Sequence, residues 1–388
     1  MSAALPGVRE MIAALIATPS VTSRGDPELD TSNRAVVERM AGWAEDAGCT
    51  VHITPVPTEP DKYNLVATLG TGPGGLVLAG HADTVPWDAR RWSHDPFSAT
   101  EADGRLYGLG TCDMKSFLAL ALTAAAGFDG KQLDRPVHLV VTADEETTMS
   151  GARALAAEGA LTGDAAILGE PTRLRPVRMH KGIIMERLRL IGHSGHSSDP
   201  GYGNSALDGM NRAMTAIVAA RERLQREHRN DAFRVPTPTL NLGQIRGGDS
   251  PNRICGECVL AYDLRVLPGM DAQHERARIH EQIYSALEGS GLEIHFESLT
   301  DGTPPVETPA DAPLIRAAEA FTGHTAQAVA FGTEAAFYQQ LGMDVVILGP
   351  GSIAQAHQPD EFIPLADLEP TVELLRRFIH HFCVAPDH

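Results

Sequence analysis

The sequence predicts an α/β protein of two domains, in which a smaller βαββαβ domain interrupts a larger one built on a mixed sheet. Three observations lead to this prediction. Short apolar segments alternate with helical stretches over the first half of the chain. Near Lys181 the order changes to strand, helix, two strands, helix and strand. After the proline-rich stretch DGTPPVETP, residues 301–309, the earlier alternation resumes.

The strands of the larger domain are predicted from short, nearly continuous apolar runs, because a strand covered on both faces carries few polar residues. These strands are Tyr63–Leu69, Leu76–Ala79, Val137–Ala143 and Ala165–Leu168. The helical segments between them are Lys115–Ala126 and Gly151–Glu158. This alternation indicates an α/β sheet of mixed strand direction.

The inserted domain follows the split βαβ order of ferredoxin-like folds. Its predicted elements are Ile183–Ile191, Asn204–His228, Thr239–Ile245, Val259–Val266, Ala272–Leu287 and Leu292–Glu297. The second and fifth of these are helices, and the others are strands. The arrangement leaves an edge strand that can pair with a second copy of the chain, which suggests a dimer.

The larger domain resumes with elements at Ala312–Phe321, Thr333–Leu341, Asp344–Leu348 and from Leu368 onward. The third of these is a strand, and the others are helices. We therefore expect residues 1–181 and 299–388 to form the larger domain and residues 182–298 to form the inserted one. A chain of 388 residues is long enough for two hydrophobic cores.

Charge and composition disfavour several classes of partner. The formal net charge of −18 argues against nucleic acid and anionic membranes and suits metal cations or a cationic small molecule. No apolar run reaches the roughly 18 residues of a membrane span. Arg9 and Glu10 interrupt the apolar N-terminal pattern, which indicates an amphipathic helix instead of a signal peptide and a cytoplasmic location. Five scattered cysteines predict no disulfide framework.

Two motifs place polar residues beside predicted strands or helices. LVLAGHADTVP ends a strand with His81 and Asp83, whose side chains point the same way because side chains alternate along a strand. A metal-binding histidine usually has its second ring nitrogen held by a carboxylate, so the pair fits a ligand with its orienting group, two ligands, or a structural histidine. Asp113, in YGLGTCDMKS, is either a helix cap or a further ligand.

Three further segments repeat this arrangement. VVTADEETTM places Glu145 and Glu146 after a strand, AILGEPT places Glu170, and ILGPGSIAQAHQPDE places His357. Sites in open α/β sheets form at the carboxyl ends of the strands. Two histidines and several carboxylates at one edge suit a pair of divalent metal ions, zinc first, that share a carboxylate. Two cations also explain the adjacent glutamates, one as a ligand and its neighbour as a base.

The motifs resemble a known family. GHADTVP, GTCDMK, ADEET, GEPT and AHQPDE are similar to segments of the zinc-dependent amidohydrolases and peptidases that include acetylornithine deacetylase, succinyl-diaminopimelate desuccinylase, aminoacylases and carboxypeptidase G2. HSGHSSDPGYG, TLNLGQIRGGDSPNRIC, DLRVLPGM and FGTEAAF resemble the same family, from about residue 60 to the C-terminus. The resemblance implies a catalytic α/β domain with an inserted dimerisation or lid domain.

The resemblance also implies roles for individual residues. It implies two triads of metal ligands that share one carboxylate: His81, Asp113, Glu170 and Asp113, Glu146, His357. The metals would be zinc, with cobalt as the alternative. Glu145 would be the general base, and Asp83 would orient His81. His196, in GHSGHSSDP, would stabilise the oxyanion from the lid, apparently that of the partner subunit. The alternative for His196 is a loop histidine that bonds to its neighbours.

Three residues are candidates for holding the substrate. Arg265 in YDLRVLPG and Asn252 in SPNRIC are the family-like candidates for binding its carboxylate. The alternative for Arg265 is a salt bridge with Asp263 or Glu257. Glu334, in FGTEAAF, either pairs with a substrate ammonium group or caps the helix that begins there.

The implied reaction is hydrolysis of the N-acetyl amide of N2-acetyl-L-ornithine to L-ornithine and acetate, a step of arginine biosynthesis, by a homodimer. N-succinyl-diaminopimelate, or a broader range of N-acyl amino acids, is the alternative substrate within the same chemistry. A catalytically silent binding protein on the same fold is the alternative of another class. The presence of every ligand and of the base favours the enzyme.

Overall fold

A computed structural model describes residues 5–385, which separate into two compact units. The first unit contains the residues up to Arg178, Thr308–Gln327 and the residues from Thr333 onward. The second unit contains Met179–Glu307 and Ala328–Gly332. The smaller unit is therefore an insertion within the larger one.

The second unit extends beyond residue 298, where the sequence analysis placed its end. The reason is a short strand, Val306–Glu307, that pairs antiparallel with His180 and Met179. Two residues are too short a run for hydrophobic periodicity to reveal, and the proline-rich stretch before them indicated a boundary.

In chain order, the helices are α1 (Val8–Ile16), α2 (Arg34–Asp46), α3 (Lys115–Ala125), α4 (Ser150–Glu158), α5 (Ala206–Glu227), α6 (Ala272–Leu287), α7 (Pro313–Thr322), α8 (Ala335–Gln340) and α9 (Leu368–Cys383). The strands are β1 (Thr50–Pro55), β2 (Tyr63–Leu69), β3 (Leu76–His81), β4 (Thr100–Ala102), β5 (Arg105–Tyr107), β6 (Val137–Thr142), β7 (Ala165–Pro171), β8 (Val177–His180), β9 (Gly182–Ile191), β10 (Thr239–Gly247), β11 (Glu257–Val266), β12 (Glu293–Ser298), β13 (Val306–Glu307), β14 (Gln327–Val329), β15 (Asp344–Gly349) and β16 (Phe362–Pro364).

The first unit is built on a sheet in which strands β1, β2, β6, β3, β7 and β15 lie side by side in that order. The four strands from β6 to β15 run parallel to one another, whereas β1 and β2 pair antiparallel. Strands β3, β6 and β7 are buried along their whole length, as their continuous apolar sequence predicted. The mixed sheet of the fold prediction is confirmed.

Helix α3 forms the centre of the largest hydrophobic core. Its sequence KSFLALALTAA is apolar on every side, and all of its residues except Thr123 are buried. Side chains of α1, α2, α7 and α9 belong to the same core. Burying a leucine or phenylalanine side chain contributes about 1.5–3 kcal/mol to the free energy of unfolding. The apolar side chains of this core therefore stabilise the unit.

The second unit has the order β9, α5, β10, β11, α6, β12. Its sheet is antiparallel, with strand order β10, β11, β9, β12. Residues of β9 and β11 alternate between buried and half-buried, and the buried ones share a core with α5 and α6. The predicted βαββαβ arrangement is confirmed.

Two other expectations concern the chain as a whole. Within residues 5–385, none of the helices combines the length and the hydrophobicity that crossing a bilayer requires. The five cysteines are free and buried.

Candidate metal centre

Four parallel strands place most of the predicted site residues at one edge of the sheet. His81 is the last residue of β3, Glu145 follows β6, Glu170 lies near the end of β7, and His357 follows β15. Because these strands are parallel and adjacent, their carboxyl ends meet at the same edge.

Asp113 reaches this edge differently. Unlike the other candidate ligands, it does not follow a strand of the larger sheet. Asp113 lies between β5, which belongs to a separate three-stranded sheet, and helix α3. Its position therefore depends on a loop, Gly108–Asp113, and not on the strand order.

One triad consists of His81, Asp113 and Glu170. One donor atom from each lies within 4.8 Å of the others, and all three residues are buried. His81 Nε2 is 3.2 Å from Asp113 Oδ1. His81 Nδ1 lies 3.0 Å from the backbone oxygen of Asp83, which can only accept, so Nδ1 donates in this contact, and Nε2 is the nitrogen that faces Asp113.

A second triad consists of Asp113, Glu146 and His357, again with donor atoms within 4.8 Å of one another. His357 Nε2 is 2.9 Å from Glu146 Oε2 and 3.5 Å from Asp113 Oδ2. The two oxygens of Asp113 thus face different histidines. This is the geometry of a carboxylate shared between two adjacent sites.

The site concentrates negative charge in a buried place. Burial, followed by the charge of Glu170, raises the pKa of Glu145 well above its ordinary value, and burial with Asp113 does the same to the pKa of Glu170. The hydrogen bond to Glu146 raises the pKa of His357 to about 9. Such shifts indicate carboxylates that need more positive charge than the chain supplies.

Asp83 holds the glutamate pair as well as His81. Its two carboxylate oxygens accept hydrogen bonds from the backbone N–H groups of Glu145 and Glu146, at 3.1 and 3.2 Å. Its Oδ1 is 3.5 Å from His81 Nδ1. Although burial alone raises the pKa of Asp83, the contacts with His81 outweigh burial and lower it. Asp83 therefore links the ends of β3 and β6.

Asp144, the third carboxylate in the row, has a role that the sequence analysis missed. Its side chain accepts hydrogen bonds from the hydroxyl groups of Thr22, Thr148 and Ser150. Its backbone φ of 63° is in the left-handed region, which turns the chain sharply after β6. Asp144 thus anchors the turn that presents the two glutamates. The threonine and serine in DEETTMS were the available signal.

Two candidates from the second unit lie together. His196 and Asn252 line a cavity of about 400 Å³ with Ser194, Gly195 and Arg253. His196 Nδ1 is 2.7 Å from Ser198 Oγ, which is the neighbour contact that the sequence analysis gave as its alternative.

The other two substrate candidates have partners within their own units. Arg265 Nε donates to Asp263 at 2.9 Å, the salt bridge that was the alternative for this residue. Glu334 is the buried N-cap residue of α8, but its side chain forms no capping hydrogen bond. Its Oε2 accepts from Thr142 Oγ1 at 2.7 Å, and burial raises its pKa to about 8.

Comparison with known proteins places the site in context. The sequence model of Peptidase family M20/M25/M40 matches residues 77–381 of this chain. Acetylornithine deacetylase of Proteus mirabilis strain HI4320 is 46% identical over 385 residues, which cover 99% of each chain.

Solved structures share the fold. An M20 family metallo-carboxypeptidase from Sulfolobus solfataricus has a TM-score of 0.74 at 18% identity and covers 97% of this chain and 99% of its own. A dinuclear metal binding peptidase of the M20 family from Bacillus subtilis has a TM-score of 0.66 at 15% identity, with 96% of each chain covered.

Proposed function

Since this chain belongs to Peptidase family M20/M25/M40, we propose that it is a metal-dependent hydrolase of the N-acetyl amide of N2-acetyl-L-ornithine. The products are L-ornithine and acetate, and the reaction serves arginine biosynthesis. The Proteus mirabilis relative named acetylornithine deacetylase supports this substrate, because its sequence matches this chain over 99% of both proteins.

One observation carries the proposal: two donor triads share Asp113, and Glu145, outside both, forms a third group with His81 and Glu146. A structural ion-pair cluster would not group the buried Glu170 with the half-buried Glu145 and Glu146 while, among the described residues, histidines are their close cationic partners. Imidazole nitrogens and carboxylate oxygens are the donors that zinc prefers in hydrolytic sites. The residues present therefore fit a pair of divalent cations.

The ligands would be His81, Asp113 and Glu170 for one metal ion and Asp113, Glu146 and His357 for the other. We propose zinc at both positions, with cobalt as the alternative. When bound, divalent cations lower the pKa of water and polarise an amide carbonyl. Asp83 would hold His81 in its orientation through the Nδ1 contact.

Glu145 is the proposed general base. Its backbone is held by Asp83, and a carboxylate oxygen lies within 4.8 Å of donor atoms of His81 and Glu146. Nearby cations favour its ionised form. Glu145 takes the proton of the attacking water and returns it to the leaving amine nitrogen, so that the amide and water become acetate and amine.

The remaining residues would act on the substrate. His196 is proposed to donate to the developing oxyanion, and Asn252 and Arg265 to hold the carboxylate of the amino acid. Glu334 is proposed to face its ammonium group. Supporting this assignment, His196 and Asn252 line one cavity.

We further propose that the enzyme is a cytoplasmic homodimer. The support is an edge strand, β10, which has the half-exposed Ile245 and leaves one side of the four-stranded sheet unpaired within the unit. Edge strands of this kind pair readily with a second copy.

The test is a rate measurement on metal-stripped protein, with and without added zinc. The substrates are N-acetyl-ornithine, N-succinyl-diaminopimelate and N-acetyl-methionine. A zinc-dependent preference for N-acetyl-ornithine is the expected result. Zinc-dependent cleavage of another of the three would retain the mechanism and replace the substrate. Bound zinc without any cleavage would favour a silent binding protein.

A further inference from the structure

The glutamate that ends the AHQPDE motif has no part in either triad, yet its side chain is 1% exposed. Glu361 Oε1 accepts hydrogen bonds from the backbone N–H groups of Cys112 at 2.7 Å and Asp113 at 2.9 Å. Its Oε2 accepts from the N–H of Gly110 at 3.1 Å. One buried carboxylate thus binds three N–H groups of the loop that carries the shared ligand.

The backbone of Glu361 reinforces these contacts. Its carbonyl oxygen accepts from the N–H of Gly108 at 3.0 Å and from Thr111 Oγ1 at 3.4 Å. The strand that follows, β16, pairs with β5, from which the loop emerges. Glu361 therefore forms hydrogen bonds along the loop from residue 108 to residue 113.

The segment that contains Glu361, residues 357–361, also forms hydrogen bonds through Asp360. Asp360 Oδ1 accepts from the backbone N–H groups of Ser93 and His94, at 2.8 and 3.1 Å. His357, a member of the second triad, lies four residues before Glu361. The segment 357–361 consequently carries one donor of the site and holds the loop that carries another.

A carboxylate is chemically suited to this task. The loop is irregular, so its N–H groups have no helix or strand partner and would cost free energy if buried without an acceptor. Burying a charged group also costs free energy. A glutamate at this position is therefore unfavourable unless it serves to position the loop. Lys115 Nζ, the nearby buried cation, donates instead to the backbone oxygens of Leu15 and Thr18.

We propose that Glu361 is a positioning residue for the metal pair: it places Asp113 so that its two oxygens face the two sites. This inference rests on the proposed function. Because Asp113 is shared, loss of the Glu361 contacts should weaken both metal ions together. Groups that orient metal ligands typically change affinity about 10–100-fold when they are replaced, and we expect a change of that size.

The test is calorimetric titration of metal-free protein with Zn²⁺, at a temperature where circular dichroism shows each variant to be folded. Glu361→Gln keeps the shape of the side chain but replaces one acceptor oxygen with a donor. Glu186→Gln is the matched control, since Glu186 is also a buried glutamate but belongs to the second unit and, among the described residues, to none of the candidate metal-ligand groups. The control should lose thermal stability and keep wild-type affinity for both zinc ions.

The expected result is that both stepwise affinities of Glu361→Gln fall at least about 10-fold. Wild-type affinities, or a loss confined to one zinc ion, would overturn the inference. If Glu361→Gln does not fold, Glu361→Asp decides, because its shorter side chain cannot reach all three N–H groups. Unchanged affinities in folded Glu361→Asp would overturn the inference equally. Wild-type protein that binds no zinc would overturn the proposed function as well.

Discussion

Buried carboxylates occur in both units of this protein, but their charge is balanced in different ways. Glu186, in the second unit, accepts hydrogen bonds from Tyr262 Oη at 2.6 Å, Arg276 Nε at 2.6 Å and His280 Nε2 at 2.8 Å. Burial raises its pKa, but the contacts with His280, Tyr262 and Arg276 outweigh burial and lower it.

The candidate metal cluster of the first unit has histidine partners, such as His357 beside Glu146, but lacks the arginine that Glu186 has. Within residues 5–385, no arginine or lysine forms an ion pair with Glu145, Glu146 or Glu170, and all three have raised pKa values. The presence of an arginine partner thus distinguishes a carboxylate with a structural role from one that is a candidate metal ligand. The chain itself supplies the charge that compensates Glu186, whereas the proposed function assigns compensation of the first cluster to bound cations.

The largest effect is expected from Asp113→Ala. Removing the shared carboxylate takes one donor from each triad, so both metal ions should be lost. Turnover should fall by more than the roughly 10²–10⁴-fold expected for losing a general base. Elemental analysis after dialysis measures the metal content. A variant that still holds two ions would show that Asp113 does not bridge them.

The next largest effect is expected from Glu145→Gln. The amide cannot accept the proton of water, so turnover should drop about 10²–10⁴-fold. Zinc content should stay at the wild-type level, because Glu145 belongs to neither proposed ligand set. Steady-state rates and metal analysis on the same sample decide the matter, and a fully active variant would remove Glu145 as the base.

His196→Ala sharpens the comparison, because it tests a candidate site residue that belongs to the second unit. Loss of an oxyanion donor typically lowers turnover about 10²–10³-fold. Zinc content should not change. Kinetics with N-acetyl-ornithine provide the measurement, with His295→Ala, an exposed histidine of the same unit, as the control. Normal turnover would leave His196 as a loop residue bonded to Ser198.

Glu186→Gln should affect stability and not metal binding. Breaking a buried ion pair from one side costs about 3–5 kcal/mol, and partial exposure of Arg276 and His280 places this case near the lower limit. Urea unfolding measures the change, and calorimetry measures zinc affinity. If zinc affinity fell while stability held, the proposed contrast between the two units would be wrong.

The smallest effect is a pH dependence. The pKa of Glu186 in the folded state is below its ordinary value of 4.5, so the unfolded chain binds its proton first as the pH falls. Its stabilising contribution is present above pH 4.5 and is lost as the pH falls through the folded-state pKa. The difference in free energy of unfolding between wild type and Glu186→Gln should therefore shrink below pH 4.5. A constant difference would contradict the lowered pKa.

Much of this protein could be predicted from local patterns. Continuous apolar runs predicted β2, β3, β6 and β7, and each of these strands is present. The same patterns predicted which polar residues follow the strands, since His81 and Glu145 each stand two residues after the end of a predicted strand. The family prediction is confirmed by the match over residues 77–381. Assignment of roles within the site remains a prediction that the variants above will test.

The sequence alone determined most of the longer elements, their order and the residue types available at the sheet edge, because these depend on periodicities of a few residues. Only the tertiary structure decided which carboxylates meet which partners. Asp113 faces His81 and His357 with different oxygens, and Glu361 binds a loop 248 residues away in sequence. Asp113 and Glu361 meet through the pairing of β5 with β16, whereas His81 and His357 reach the same edge through the lateral order β6, β3, β7, β15, which differs from the chain order. Local propensity carries no information about that order, since it is set by how the whole core packs.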